Sequence, residues 1–210
     1  MTLPNTKQSL IIDALRHGET VNGQCYLGRT DAELTTVGWS QMQKAMRDIN
    51  PDDYDVIVTS PLRRCQSFAE QWLLSANLSL KALRTDALIQ EYDFGLWDGM
   101  TAAAIMLHWP EELGAFWRDP ECFPPPQGES LAVFFQRLRH FLDNELQSKN
   151  KRVLLITHGG VIKALTCLTQ GRPTGDMHSI GVKHGTLHRI FYAPKEYEQK
   201  ACEQIVCESK

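Results

Sequence analysis

The chain has 210 residues, 42% of them hydrophobic and 22% charged, with a formal net charge of −3. That composition belongs to a globular protein with room for one substantial core, and it argues against general attraction to nucleic acid or acidic membranes. No apolar run approaches the roughly 20 residues a membrane-spanning helix needs. The polar stretch before Leu10 lacks the features of a signal peptide, so a cytoplasmic protein is expected. The cysteines Cys25, Cys65, Cys122, Cys167, Cys202 and Cys207 form no C-x-x-C pair; reduced thiols are expected and a structural zinc site is not.

In chain order, Ser9 to Leu15 is short, apolar and rich in Ile and Leu, and predicts a buried strand that stops at Arg16-His17-Gly18. Val37, Trp39, Met42, Ala45, Met46 and Ile49 recur at helical spacing, predicting a helix from Leu34 to Ile49 ended by Pro51. Asp55 to Thr59 predicts a second buried strand. Ser60 as N-cap and Pro61 at the first helical position predict a helix to about Ser75. Leu83 to Ile89 predicts a short strand.

The stretch from Glu91 to Gly128 is rich in aromatics, Gly and Pro, with helical pieces near Thr101 to Trp109 and Glu111 to Trp117; it reads as a lid-like insertion. Glu129 to Gln147 predicts an amphipathic helix. Val153 to Thr157 predicts a third strong strand, which breaks at His158-Gly159-Gly160 before a helix from Val161 to Leu168. Thr186 to Tyr192 predicts a further strand, and an edge strand is expected near Gln204 to Cys207.

Strands alternating with helices imply an α/β three-layer sandwich with a mainly parallel central sheet, over one domain spanning residues 1–210. Ligands bind such sheets beyond the carboxyl ends of the strands. Three of the predicted strands lead there to Arg16-His17, Arg64 and His158, far apart in sequence. Two histidines with arginines beside them suit phosphoryl transfer. A neutral imidazole is a competent nucleophile, and planar guanidinium forks neutralise and orient phosphoryl oxygens. A carboxylic acid nearby would protonate the leaving oxygen. Taken singly, each residue has a plainer reading, as a satisfied core histidine or a solvated arginine.

The motifs together are more specific. Leu15-Arg16-His17-Gly18-Glu19-Thr20 resembles the signature of the histidine phosphatase superfamily, which includes the cofactor-dependent phosphoglycerate mutases. Gly28-Arg29-Thr30-Asp31, Ser60-Pro61-Leu62-Arg63-Arg64, Glu91 to Gly99 and Thr157-His158-Gly159-Gly160 resemble its later motifs, in the family's order. The resemblance implies a phosphoglycerate mutase-like fold with His17 as the nucleophile. It implies that Arg16, Arg64 and His158 clamp the phosphoryl group, and that Glu91 is the proton donor and acceptor. Asp93 and Asp98 are nearby rivals of Glu91. Thr20, Gly28 and Gly159 are expected to line the phosphate site, with Arg63 a solvated neighbour. An Asn that many members carry after the nucleophile is not matched, since Asn22 falls one place early; this weakens a mutase reading more than a phosphatase one.

The short loop GETVNGQCYLG, the segment EYDFGLWDG and the stretch Phe116 to Ser130 look like the α-ribazole-5′-phosphate phosphatase branch, which acts in cobalamin nucleotide-loop assembly. A benzimidazole riboside would need aromatic walls, and Trp97, Trp109, Phe116, Trp117 and Phe123 are the candidates. The alternatives are a broad sugar-phosphate or nucleotide phosphatase, a mutase-like enzyme, or a degenerate binding module. A small-molecule phosphate monoester is the expected partner, with no nucleic acid, membrane, cofactor or metal. A homodimer is one arrangement the sequence allows. His184 and His188 have metal-ligand spacing only on a helix, and their region reads as strand. Cys25, in the catalytic loop, reads either as an oxidant-sensitive thiol or as an inert small hydrophobe.

Overall fold

The computed structural model of the chain describes residues 9–79, 83–148 and 150–193. Five strands form one sheet: β1 (Leu10–Arg16), β2 (Val56–Thr59), β3 (Leu83–Thr85), β4 (Arg152–Thr157) and β5 (Leu187–Tyr192), in the order β3-β2-β4-β1-β5. The first four are mutually parallel and β5 runs antiparallel along β1. The helices are α1 (Thr36–Ala45), α2 (Arg63–Ser75), α3 (Ala102–His108), α4 (Pro110–Arg118), α5 (Leu131–Gln147) and α6 (Gly159–Gln170).

The inner strands β1, β2 and β4 are largely apolar and buried on both faces, as a covered parallel sheet requires. Ile12, Ala14, Val153 and Leu155 point to one side, where they join Phe134, Leu138 and Phe141 of α5 and Ile162 and Leu165 of α6. Leu15, Leu154, Ile156 and Ile57 point to the other, against Met42 of α1 and Phe68, Ala69 and Leu73 of α2. Each fully buried Leu or Ile contributes about 1.5–3 kcal/mol relative to exposure, so these two layers hold the sandwich together. The architecture is the α/β three-layer sandwich with a mainly parallel central sheet that the sequence predicts.

Several boundaries differ from expectation for local reasons. α1 ends at Ala45, where the Met46 N–H bonds back to Met42, and Pro51 instead opens a separate 3-10 turn, Pro51–Asp53. α2 starts at Arg63, with Leu62 at the N-cap and no side-chain cap; the Ser60 hydroxyl meets His158 at 2.7 Å and the Leu62 N–H at 3.4 Å instead. The strand after residue 82 is only three residues long and passes into a 3-10 turn at Ala87–Ile89. α5 is capped by Ser130, which leaves Glu129 outside the helix. α6 begins at Gly159, two residues before the predicted start. The insertion packs as core: Trp97, Ile105, Leu113 and Phe116 are buried in the same cluster as α5. The strand expected near Gln204 to Cys207 lies outside the described residues.

Candidate active site

Strand register assembles the site. Arg16 and Thr157 are partners in the parallel β1–β4 ladder, so the next residue on each strand, His17 and His158, emerges side by side. Their ring centroids are 5.3 Å apart, and the His17 N–H bonds the Thr157 carbonyl at 2.9 Å. β2, on the other side of β4, delivers Ser60 with its N–H on the Ile156 carbonyl at 3.0 Å, and the first turn of α2 then brings Arg64 inward. Glu91 arrives from beyond β3 and the turn that follows it. The N-terminal turn of α6 meets it, with the Gly160 N–H donating to Glu91 Oε2 at 3.0 Å. His17, Arg64, Glu91 and His158 are all buried.

His17 Nδ1 lies 2.8 Å from the carbonyl oxygen of Gly18. A carbonyl only accepts, so Nδ1 carries the proton and Nε2 keeps a free lone pair. The arginines are held by neutral acceptors. Arg16 donates to the Val182 carbonyl at 2.7 Å and to His184 Nε2 at 2.8 Å. Arg64 donates to the carbonyls of Thr30 (2.7 Å) and Gly28 (2.6 Å) and to His158 Nδ1 (3.2 Å). His158 therefore accepts through Nδ1 and donates through Nε2 to Ser60 Oγ at 2.7 Å. With no carboxylate among these partners, both positive charges remain available to an incoming anion.

Burial sets the protonation states. It pushes His17 well below the ordinary histidine value, and the Arg64 charge adds to the effect. His158 is held well down by burial, then by Arg64 and His17. His184 falls to about 4, through burial and then Arg16. Three neutral imidazoles thus stand beside two guanidiniums near neutral pH.

The rival carboxylates are committed elsewhere. Asp98 accepts from the backbone N–H groups of Gly28 (2.8 Å) and Thr30 (2.7 Å), and Asp93 caps Gly95 at 2.9 Å. Arg63 is exposed and pairs with Glu33 at 2.8 Å.

A cavity of about 530 Å³ opens over Arg16, His17, Thr20, Glu91 and Gly159. Arg64, His158 and Gly28 do not line it: the first two sit behind the wall, and Gly28 is fixed between Asp98 and Arg64. Asn22 also stays outside; its carbonyl accepts from the Cys25 thiol, which does face the cavity. Of the five candidate aromatics, Phe116 and Trp117 line the cavity. Trp97 is buried in the core, Trp109 packs against it and Phe123 is exposed.

Sequence reasoning missed Tyr26, Phe94 and His184 as cavity residues. Tyr26 was hidden in a loop with no periodicity, although its hydroxyl accepts from Trp117 Nε1 at 2.7 Å. The sequence offers His184 only as a metal ligand with His188. The two part company: the His184 ring lies 5.5 Å from that of His17, while His188 bonds Thr186 at 2.8 Å.

This arrangement presents a neutral imidazole lone pair, the Arg16 guanidinium, a helix N-terminus and a carboxyl group at the floor of an aromatic-walled cavity, with the buried Arg64 charge behind the wall. It is suited to binding a phosphate dianion and attacking its phosphorus.

The family model for the histidine phosphatase superfamily (branch 1) matches residues 12–204. Phosphoserine phosphatase 1 of Hydrogenobacter thermophilus is 28% identical over 158 residues, covering 74% of this chain and 73% of that protein. A 2,3-bisphosphoglycerate-dependent phosphoglycerate mutase of Methylorubrum populi is 29% identical over 178 residues, covering 81% and 84%. Among solved structures, the α-ribazole phosphatase of Shigella flexneri superposes with a TM-score of 0.75 at 25% identity, covering 86% of this chain and 90% of that one. A mycobacterial glucosyl-3-phosphoglycerate phosphatase gives 0.75 at 26%, covering 87% and 90%.

Proposed function

The chain belongs to the histidine phosphatase superfamily, and on that premise we propose that it hydrolyses phosphate monoesters through a phosphohistidine on His17, with α-ribazole 5′-phosphate as its substrate. The observation that carries the chemistry is the Nδ1–H bond from His17 to Gly18, which fixes the tautomer whose Nε2 attacks. Nε2 forms the bond to phosphorus as the ester P–O bond breaks. Arg16 and Arg64 balance the charge on the phosphoryl oxygens, and His158, which accepts from Arg64 and donates to Ser60, orients the Arg64 guanidinium. Glu91, held at the first turn of α6, gives its proton to the leaving alkoxide. As a carboxylate it then takes a proton from the water that attacks phosphohistidine, releasing inorganic phosphate and restoring His17. Thr20 and Gly159 border the phosphate position.

The substrate assignment is supported by the cavity. Tyr26, Phe94, Phe116 and Trp117 give it an aromatic side, and its volume lies within the roughly 300–1,000 Å³ range of small-molecule sites. The likeness to an α-ribazole phosphatase structure points the same way. One observation favours a second reading. Lys163 lines the same cavity with no ion pair among the described residues, and would suit a leaving alcohol bearing a carboxylate, such as phosphoserine.

The test is phosphate release from α-ribazole 5′-phosphate, phosphoserine, 3-phosphoglycerate, sugar phosphates and nucleotides, with EDTA present. A preference for α-ribazole phosphate of about a hundredfold in kcat/KM, nearly 3 kcal/mol of transition-state discrimination, is expected. A preference for phosphoserine establishes the second reading. Comparable rates across the panel overturn the α-ribazole assignment and leave a general phosphatase. Loss of all activity in EDTA contradicts a mechanism in which arginines supply the charge.

A further inference from the structure

The segment that carries Glu91 has no β-ladder to hold it, yet the four carbonyls from Leu88 to Glu91 are all taken. Those of Leu88, Gln90 and Glu91 accept from Arg137 at 2.5, 2.8 and 3.0 Å, and that of Ile89 accepts from Thr157 Oγ1 at 2.8 Å. Arg137 stands on α5 and is not among the cavity residues. Its two remaining N–H groups go to Glu129, Nε to Oε1 at 2.7 Å and Nη2 to Oε2 at 3.0 Å, so all five donors of the guanidinium are used. The face of the guanidinium lies over the Phe134 ring, 4.6 Å from its centroid. Glu129 is tied in turn to the same segment, through Asp93: its N–H bonds the Asp93 carbonyl at 2.9 Å, and Oε2 accepts from the Asp93 N–H at 3.4 Å. Both side chains of the pair are nearly buried, 12% and 7% exposed.

We infer that the Arg137–Glu129 pair is a positioning device for the proton donor: it fixes the backbone from Leu88 to Asp93 so that the Glu91 carboxyl meets the leaving oxygen. The inference rests on the assignment of Glu91 as leaving-group acid. Burying two charges costs several kcal/mol before their attraction offsets it, so a buried pair is weak evidence for stability alone. What this pair does that a hydrophobic pair cannot is gather three consecutive-turn carbonyls and a carboxylate onto one rigid planar fork. Lysine has three donors on a flexible stem and cannot reproduce the pattern.

Leaving-group dependence separates positioning from plain structural support. p-Nitrophenolate departs without a proton, whereas an alkoxide requires one. In Arg137→Lys, kcat/KM for glycerol 2-phosphate is expected to fall about 30-fold or more while that for p-nitrophenyl phosphate falls less than about threefold, as for a misplaced general acid. Glu129→Gln, which keeps the three carbonyl bonds but weakens the anchor, is expected to show the same selectivity in smaller measure, and it carries the test if Arg137→Lys does not fold.

Glu91→Gln is measured alongside. If it shows the selectivity and the folded clamp variants do not, because both substrates fall equally or neither falls, the positioning role is overturned and the acid assignment stands. If Glu91→Gln shows no selectivity, the acid assignment itself fails and takes this inference with it.

Discussion

At His17, the groups that surround the imidazole decide its chemistry. Arg16 and Arg64 are oriented by carbonyls and neutral imidazoles, so neither charge is cancelled before substrate arrives. The same burial has a thermodynamic consequence. His17, His158 and His184 have folded pKa values below the unfolded value of about 6.5. Above that pH neither state is protonated and the groups are neutral to stability. Below it the unfolded chain binds protons that the folded protein excludes, so stability is lost as pH falls toward the folded values. The melting temperature is therefore expected to drop between pH 7.5 and pH 5, before the depressed carboxyl of Asp13 enters. His184→Asn should reduce that drop; an equal drop in the variant would show that His184 does not titrate as described. A second residue-scale prediction concerns Gly160, where an added Cβ would lie 2.4 Å from Glu91 Oε1. Gly160→Ala should displace the carboxyl and lower kcat/KM for alkyl phosphates about a hundredfold, the usual contribution of a general acid. Unchanged kinetics in a folded variant would remove Glu91 from the mechanism.

Between elements, the catalytic loop is set against α1 by backbone contact that only glycine permits. A Cβ on Gly18 would come within 2.1 Å of the Gly38 carbonyl oxygen, and one on Gly38 within 2.1 Å of that of Glu19. Gly38 sits in the first turn of α1, and its N–H is capped by Thr35 Oγ1 at 2.9 Å. Gly18→Ala and Gly38→Ala are each expected to destabilise the protein by about 1–3 kcal/mol or more, since the clash falls on backbone that has no room to retreat. Gly114→Ala serves as the control: it lies in α4, with only the end of the Arg118 side chain within 4 Å, at 3.7 Å. There a gain of about 0.4–1 kcal/mol is expected from the reduced entropy of the unfolded chain. Denaturant melts of the three variants decide the matter, and equal small effects at all three positions would contradict the close approach of loop and helix.

For the whole molecule, the sheet was legible because three apolar runs, each ending in a charged or histidine-containing loop, admit few other readings. The gathering of His17, Arg64 and His158 followed from the rule that parallel strands present their carboxyl ends together. The rest was hidden for physical reasons. Ser60 is not the cap expected of it: the helix begins at Arg63, and the Ser60 hydroxyl serves a tertiary partner, His158, that the local sequence does not reveal. The ends of the insertion helices were close to those expected, but which aromatics face the cavity depends on packing against α5, which local periodicity does not encode; hence Trp97 turned inward and Tyr26 went unnoticed. Glu129 and Arg137 read as ordinary charges of an amphipathic helix, and only the fold shows them enclosed beneath the Glu91 segment.

The central claim is covalent attachment of phosphate to one nitrogen of one residue. It is tested most directly by mixing the enzyme with p-nitrophenyl phosphate, quenching within the first turnover under alkaline conditions, and mapping the phosphorylated peptide by mass spectrometry. The account predicts an acid-labile phosphate on His17, attached through Nε2, and neither adduct nor turnover in His17→Ala. Phosphate on another residue, or undiminished turnover in His17→Ala, would contradict it.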